Sequence, residues 1–186
     1  DLNHFYGSSY REAIDESLVS AYVSERGLRA VIARLFNTVG PRQTGHYGMV
    51  IPRFVRQALT SQPLTVFGTG NQIRCFCHVA DVIPALVRLL ETPAAYGRAV
   101  NLGSYEQVSV SELARRVVHT TGSSSTITYV SYQDAYGPGY EDMERRVPDC
   151  TLAHNLTGFR VSYTLDDIIR SVSASCEEKE ENTVND

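Results

Sequence analysis

Long apolar runs are missing from this sequence. Stretches such as residues 30–33 and 79–80 fall far short of the roughly 20 residues that cross a bilayer, so no membrane span is expected. Excess positive charge is missing as well: a formal net charge of -4 argues against a surface that neutralises a row of phosphates, and nucleic acid is set aside as a partner. Internal repeats and low-complexity linkers are lacking. The sequence opens Asp-Leu-Asn-His with neither an initiator methionine nor a signal-like stretch, and it reads as a segment cut from a longer chain, cytoplasmic in setting. Cysteines are few. Cys75 and Cys77 would share one face of a strand, but no second close Cys or His pair completes a zinc set, so Cys75, Cys77, Cys150 and Cys176 are expected as reduced thiols.

What is present is one ordinary domain's worth of core: 42% hydrophobic and 20% charged residues in 186. Ala13, Ile14, Leu18, Ala21 and Tyr22 recur at helical spacing across residues 10–26, and Gly27 supplies a stop. A mostly apolar strand over 28–35 follows. The same helix, glycine, buried-strand rhythm returns in looser form and points to an α/β fold with a parallel sheet covered by helices. Further along, the pattern predicts a helix over 50–61, strands over 64–67 and 73–77, and a helix capped by Asp81 that reaches Leu90 with Pro84 in its first turn. Ser109-Val110-Ser111-Glu112 reads as a capping box that opens an amphipathic helix. A strand over 126–130 leads to a Tyr- and Gly-rich loop at 132–140, of a kind that a ligand can order. Residues 173–186, with the charge run Glu177-Glu178-Lys179-Glu180-Glu181, are expected as a disordered acidic tail.

Phe67-Gly68-Thr69-Gly70 resembles the opening of a dinucleotide-binding loop, but the position of the third glycine holds Ile73 and the chain continues as strand. A strand-to-strand turn is the better reading. Three ordered blocks are more informative: RLFNTVGPRQ at 34–43, LTVFGTGNQIRCFCHVAD at 64–81, and RRVPD at 145–149 followed by LAHNLTGF. Together they resemble the extended short-chain dehydrogenase family of NAD-dependent nucleotide-sugar epimerases, dehydratases and decarboxylases, with the epimerase and glucuronate-decarboxylase branch most similar. The resemblance implies the C-terminal part of a Rossmann-type doubly wound sheet plus a small substrate-binding α/β subdomain. The two would be interleaved over residues 1–172.

The resemblance also implies roles. Arg74 and Arg146 would grip the diphosphate of a nucleotide sugar, a task to which the planar guanidinium fork is suited; surface ion pairing is the alternative for each. Asn37, past the carboxyl end of a buried strand, would hydrogen-bond the substrate, or simply form a turn before Gly40-Pro41. Val50 would offer backbone contact to the nucleotide, Phe67 would flank the base, and Phe36 would lie toward the nicotinamide of NAD. Core packing explains both phenylalanines equally well. His78 and Asp81, three apart, read as a strand end and a helix cap rather than a reactive pair.

The family's catalytic Tyr-x-x-x-Lys pair falls on Phe5-Tyr6-Gly7-Ser8-Ser9-Tyr10-Arg11-Glu12. Read without a gap from Ala13-Ile14-Asp15-Glu16, the pair would fall on Ser8 and Glu12; matching Tyr-Gly-Ser-Ser instead makes Tyr6 the catalytic tyrosine and leaves Arg11, in a short insertion, where the lysine belongs, the sole lysine being Lys179. The Gly-rich loop and the ribose-binding acid of the family are absent too, so this chain alone is expected neither to hold NAD nor to turn over. The parent activity implied is oxidation at C4 of a UDP-sugar, followed by epimerisation, dehydration or decarboxylation; a non-catalytic sugar-nucleotide binder is the alternative. A homodimer through the helix near Tyr10 is a further implication.

Overall fold

The computed structural model describes the backbone of residues 2–43, 49–140 and 142–184, and the side chains of residues 12–43, 49–140 and 142–177. A long helix α1 (Leu2–Arg26) ends at Gly27, whose left-handed φ of 66° and N–H bonded to the Val23 carbonyl stop the helix as the sequence indicates. Its start is eight residues earlier than the apolar spacing predicts, because extending an existing helix fixes one residue per hydrogen bond gained. Ile14, Leu18 and Tyr22 form a stripe that is more than half exposed.

Strand β1 (Ile32–Leu35) pairs in parallel with β6 (Ala99–Leu102), in register from Ile32 with Ala99 to Leu35 with Leu102. Helices α3 (Val79–Leu90) and α6 (Thr151–Thr157) cover this pair, and Val82, Leu89, Val100, Leu102 and Phe159 form its core. A second core belongs to β3 (Leu64–Phe67), parallel to β8 (Ile127–Val130), and to helices α2 (Val50–Leu59), α4 (Val110–Thr120) and α7 (Leu165–Val184). Phe54, Leu64, Leu113, Ile168 and Ile169 fill it. Large apolar side chains drawn together from segments more than a hundred residues apart provide the main driving force.

The expected strand over 73–77 is broken. Its first part, β4 (Ile73–Cys75), runs antiparallel to β7 (Gln107–Ser109), and its second, β5 (Cys77–His78), runs parallel to β2 (Thr38–Val39). Asn37 imposes the break: its side-chain amide donates to the Cys75 carbonyl at 2.8 Å, and its own carbonyl accepts from the Cys77 N–H at 3.2 Å. Cys75 and Cys77 therefore belong to two strands. Cys75, Cys77 and Cys150 are buried free thiols, and burial pushes Cys77 up to about 12 and Cys150 up to about 11.

Ser109 caps α4 as anticipated, accepting from the Glu112 N–H at 3.1 Å. Asp81 does not cap α3. His78 does, its Nδ1 accepting from the Ala80 N–H at 3.1 Å, while Asp81, one turn further in, accepts from the N–H groups of Ser162 and Tyr163 and ties that loop to the helix. The expected loop at 132–140 begins with a short helix α5 (Tyr132–Tyr136). At the other end, α7 continues to Val184 where a disordered tail was expected; Glu and Lys are good helix formers, and the packed turns before Ser173 supply the nucleus. No described helix is long and apolar enough to cross a membrane.

The Gly68-Thr69-Gly70 turn leads from β3 into β4, not into a helix. Both glycines have positive φ, 71° and 74°. A side chain at Gly68 would overlap the Tyr132 ring, and one at Gly70 would overlap the Ser111 hydroxyl at the start of α4. The glycines thus serve close approach.

Two outcomes follow. Gly70→Ala, strained in φ and crowded against Ser111, should lower unfolding free energy by about 1–3 kcal/mol in a denaturant titration. His78 is buried, stacks on Tyr163 with ring centroids 4.1 Å apart, and uses Nε2 toward the Ser171 hydroxyl at 2.9 Å, so the fold requires the neutral ring. Burial lowers its pKa. The unfolded chain takes up that proton near pH 6.5 and the folded chain resists it, so stability is complete above about pH 6.5 and is lost as pH falls below it. Thermal melts at pH 7.5 and 5.5 should differ more for the native chain than for His78→Asn.

Candidate functional site

A cavity of about 240 Å³ opens where the ends of β1 and β3 meet the first turn of α2, and the five residues nominated for substrate all line it: Asn37, Val50, Phe67, Arg74 and Arg146. Local backbone explains how the last two meet. Ile73 donates its N–H to the Glu144 carbonyl at 2.7 Å and accepts from the Arg146 N–H at 3.1 Å, forming a parallel bridge with Arg145. That bridge sets both guanidinium groups along one edge. A wider surface groove of about 590 Å³, bounded by Ser104 and Thr164, contains none of the nominated residues.

The nominated groups differ in what they offer. Arg74, mostly buried, donates from Nη2 to Asp142 Oδ1 at 2.6 Å and from Nη1 to its neighbour's carbonyl at Ile73. Arg146 lies with its guanidinium carbon 5.4 Å from the Phe36 ring centroid. Asn37 has a left-handed φ of 42°, which asparagine tolerates, and its amide nitrogen donates to the Cys75 carbonyl at 2.8 Å. The turn reading of Asn37 and the cavity reading hold together. Phe36 does not line the cavity but closes the β1–β6 ladder through its N–H to the Leu102 carbonyl and supports Arg146 from behind. Tyr6 falls in α1, and its side chain lies outside the described residues.

Several lining residues lie outside the sequence blocks, namely Arg53, Tyr132, Tyr136, Tyr140 and Asp142, while Gln72 falls within the second block but carries no expected role there. Tyr132 donates to Asp142 Oδ2 at 3.1 Å and accepts from Gln72 Nε2 at 2.9 Å. Burial, reinforced by the Asp142 charge, pushes the Tyr132 hydroxyl well up, so it stays a donor, and burial raises Tyr140 in the same direction. Tyr136 and Tyr140 stack with centroids 4.4 Å apart, and Tyr136 meets Phe67 edge-on at 5.3 Å. Only the Tyr- and Gly-rich composition of 132–140 pointed this way. The cavity is smaller than the roughly 300–1,000 Å³ of a typical ligand site. A nucleotide-sized ligand would extend past it or displace the tyrosine segment.

Chemically, this is a cation-rich, aromatic-walled cleft: three guanidinium groups, one carboxylate and three tyrosine hydroxyls. It has the forks for a diphosphate. No described strand passes through a glycine-rich loop into a helix, the arrangement that seats a pyrophosphate.

The chain is similar to the UDP-N-acetyl-alpha-D-glucosaminuronate decarboxylase of Bacillus cytotoxicus, 36% identical over 149 residues that make up 80% of this chain and 46% of that protein. It is 34% identical over 146 residues to the UDP-glucuronic acid decarboxylase 1 of Xenopus tropicalis, covering 78% of this chain and 33% of the relative. The solved structure of UDP-glucuronic acid 4-epimerase from Bacillus cereus, in complex with UDP-glucuronic acid and NAD, superposes with a TM-score of 0.77 at 27% identity, over 88% of this chain and 50% of that one. The chain thus spans half or less of these relatives' length. Residues 7–103, more than half of the chain, match the NAD dependent epimerase/dehydratase family, and to that family the chain belongs.

Proposed function

We propose that this chain forms the nucleotide-sugar-binding side of an enzyme that epimerises, dehydrates or decarboxylates the sugar of a UDP-sugar, with NAD as the parent enzyme's cofactor. One observation carries the reading: Asn37, Val50, Phe67, Arg74 and Arg146, named from three separate sequence blocks, line a single cavity. In this reading Arg74 and Arg146 hold the two phosphates, Asn37 accepts a substrate hydroxyl, Phe67 flanks the base, and the helix start at Val50 meets the nucleotide. Phe36 backs Arg146 and faces the side from which a nicotinamide would approach. Tyr6 is the residue that would take the sugar hydroxyl proton. The relatives that support this are decarboxylases and an epimerase of UDP-linked uronic acids. Residues 1–172 would act as interleaved sheet and substrate subdomains, and a second copy packing on the Ile14, Leu18 and Tyr22 stripe would make a homodimer. A cytoplasmic setting suits a soluble sugar nucleotide.

The electrostatics set the direction of the test. The Asp142 carboxylate occupies Arg74 at 2.6 Å, so an entering diphosphate must share or replace it. Calorimetric titration of the chain with UDP should give an affinity that falls roughly tenfold or more in Arg74→Ala and in Arg146→Ala. Asp142→Asn, which removes the competing charge, should move the affinity the other way. Unchanged affinity in both arginine variants, with melting curves confirming folded protein, would refute the diphosphate grip.

A further inference from the structure

Arg53 is the third cation of the cavity, and neither an ion pair nor a sequence block accounts for it. It stands one helical turn beyond Val50 on the same face of α2, so both residues border the same end of the cleft. Its guanidinium carbon sits 4.4 Å from the Phe67 ring centroid. One Nη2 donates to the Thr65 carbonyl at 3.0 Å, which fixes the group in place. The Nε–H is buried and meets no acceptor among the described residues. Burial pulls the guanidinium pKa down, the mark of a charge held away from water. Leaving such a donor unmatched is costly, and a pocket that tolerates it empty is suited to a ligand oxygen that completes it.

The geometry favours one kind of oxygen. A guanidinium lying against an aromatic ring sends its N–H groups sideways in its own plane, toward the edge of a flat neighbour rather than its face. Phe67, with Tyr136 edge-on to it, makes that end of the cleft an aromatic wall, whereas Arg146 rests against Phe36 at the end of β1. Two arginines already serve the phosphates in the reading above, on which this inference rests. We propose that Arg53 reads a ring carbonyl of the nucleobase, and so selects a nucleotide such as UDP over ADP, whose base has no carbonyl.

The test is calorimetric titration of the full chain with UDP, ADP and inorganic pyrophosphate, for the native protein, Arg53→Gln and Arg53→Lys. Lysine keeps the charge but lacks the in-plane fork, and it serves where the glutamine variant does not fold. The native chain should prefer UDP to ADP by roughly tenfold or more, and both variants should lose that preference while pyrophosphate affinity in Arg53→Lys changes less than about twofold. An unaltered preference, no preference in the native chain, or equal losses for UDP and pyrophosphate would overturn the assignment and leave the diphosphate site standing. Failure of the native chain to bind any of the three would remove both.

Discussion

Two backbone hydrogen bonds at Ile73 hold the candidate site together. One goes to Glu144 and one comes from Arg146, and they join segments about seventy residues apart in the sequence. Without them the second guanidinium would have no fixed relation to the first, and Asp142, only a few residues upstream of the bridge, would not reach Arg74. The antiparallel pairing of β4 with β7 carries the same strand into the second core, so the site's geometry inherits the rigidity of that packing.

From this bridge the rest of the cleft can be followed outward. Asn37 breaks the strand after Cys75 and so hands the chain from one core to the other. Gly68, by lacking a side chain, lets the Tyr132 ring close over the turn, which in turn brings its hydroxyl to Asp142 and Gln72. The tyrosine segment is thus held by polar contacts to the same carboxylate that occupies Arg74. Charge at one arginine and closure at the aromatic wall are coupled through Asp142.

Much of this was legible in the sequence, for a physical reason: residues whose work depends on the backbone around them carry a local pattern. Arg74 lies within a strand, Asn37 precedes Gly40-Pro41, Ser109 stands three before Glu112, and each sits where its neighbours indicate. Arg53 looks like any solvated residue on the polar side of an amphipathic helix, and only tertiary packing turns it onto Phe67. Asp81 has the chemistry of a cap, but His78 stands at the true helix start, a histidine use that propensity does not foresee. Gly68 and Gly70 imitate a phosphate loop because close approach and positive φ demand the same residue whatever approaches. The charged stretch after Ser173 continues as helix because what precedes it is packed.

The most direct measurement of the central claim is a crystal structure of this chain with UDP. The diphosphate should lie between Arg74 and Arg146, with the Asp142 carboxylate moved off Arg74. Density for UDP elsewhere, with the Arg74–Asp142 pair intact, would contradict it.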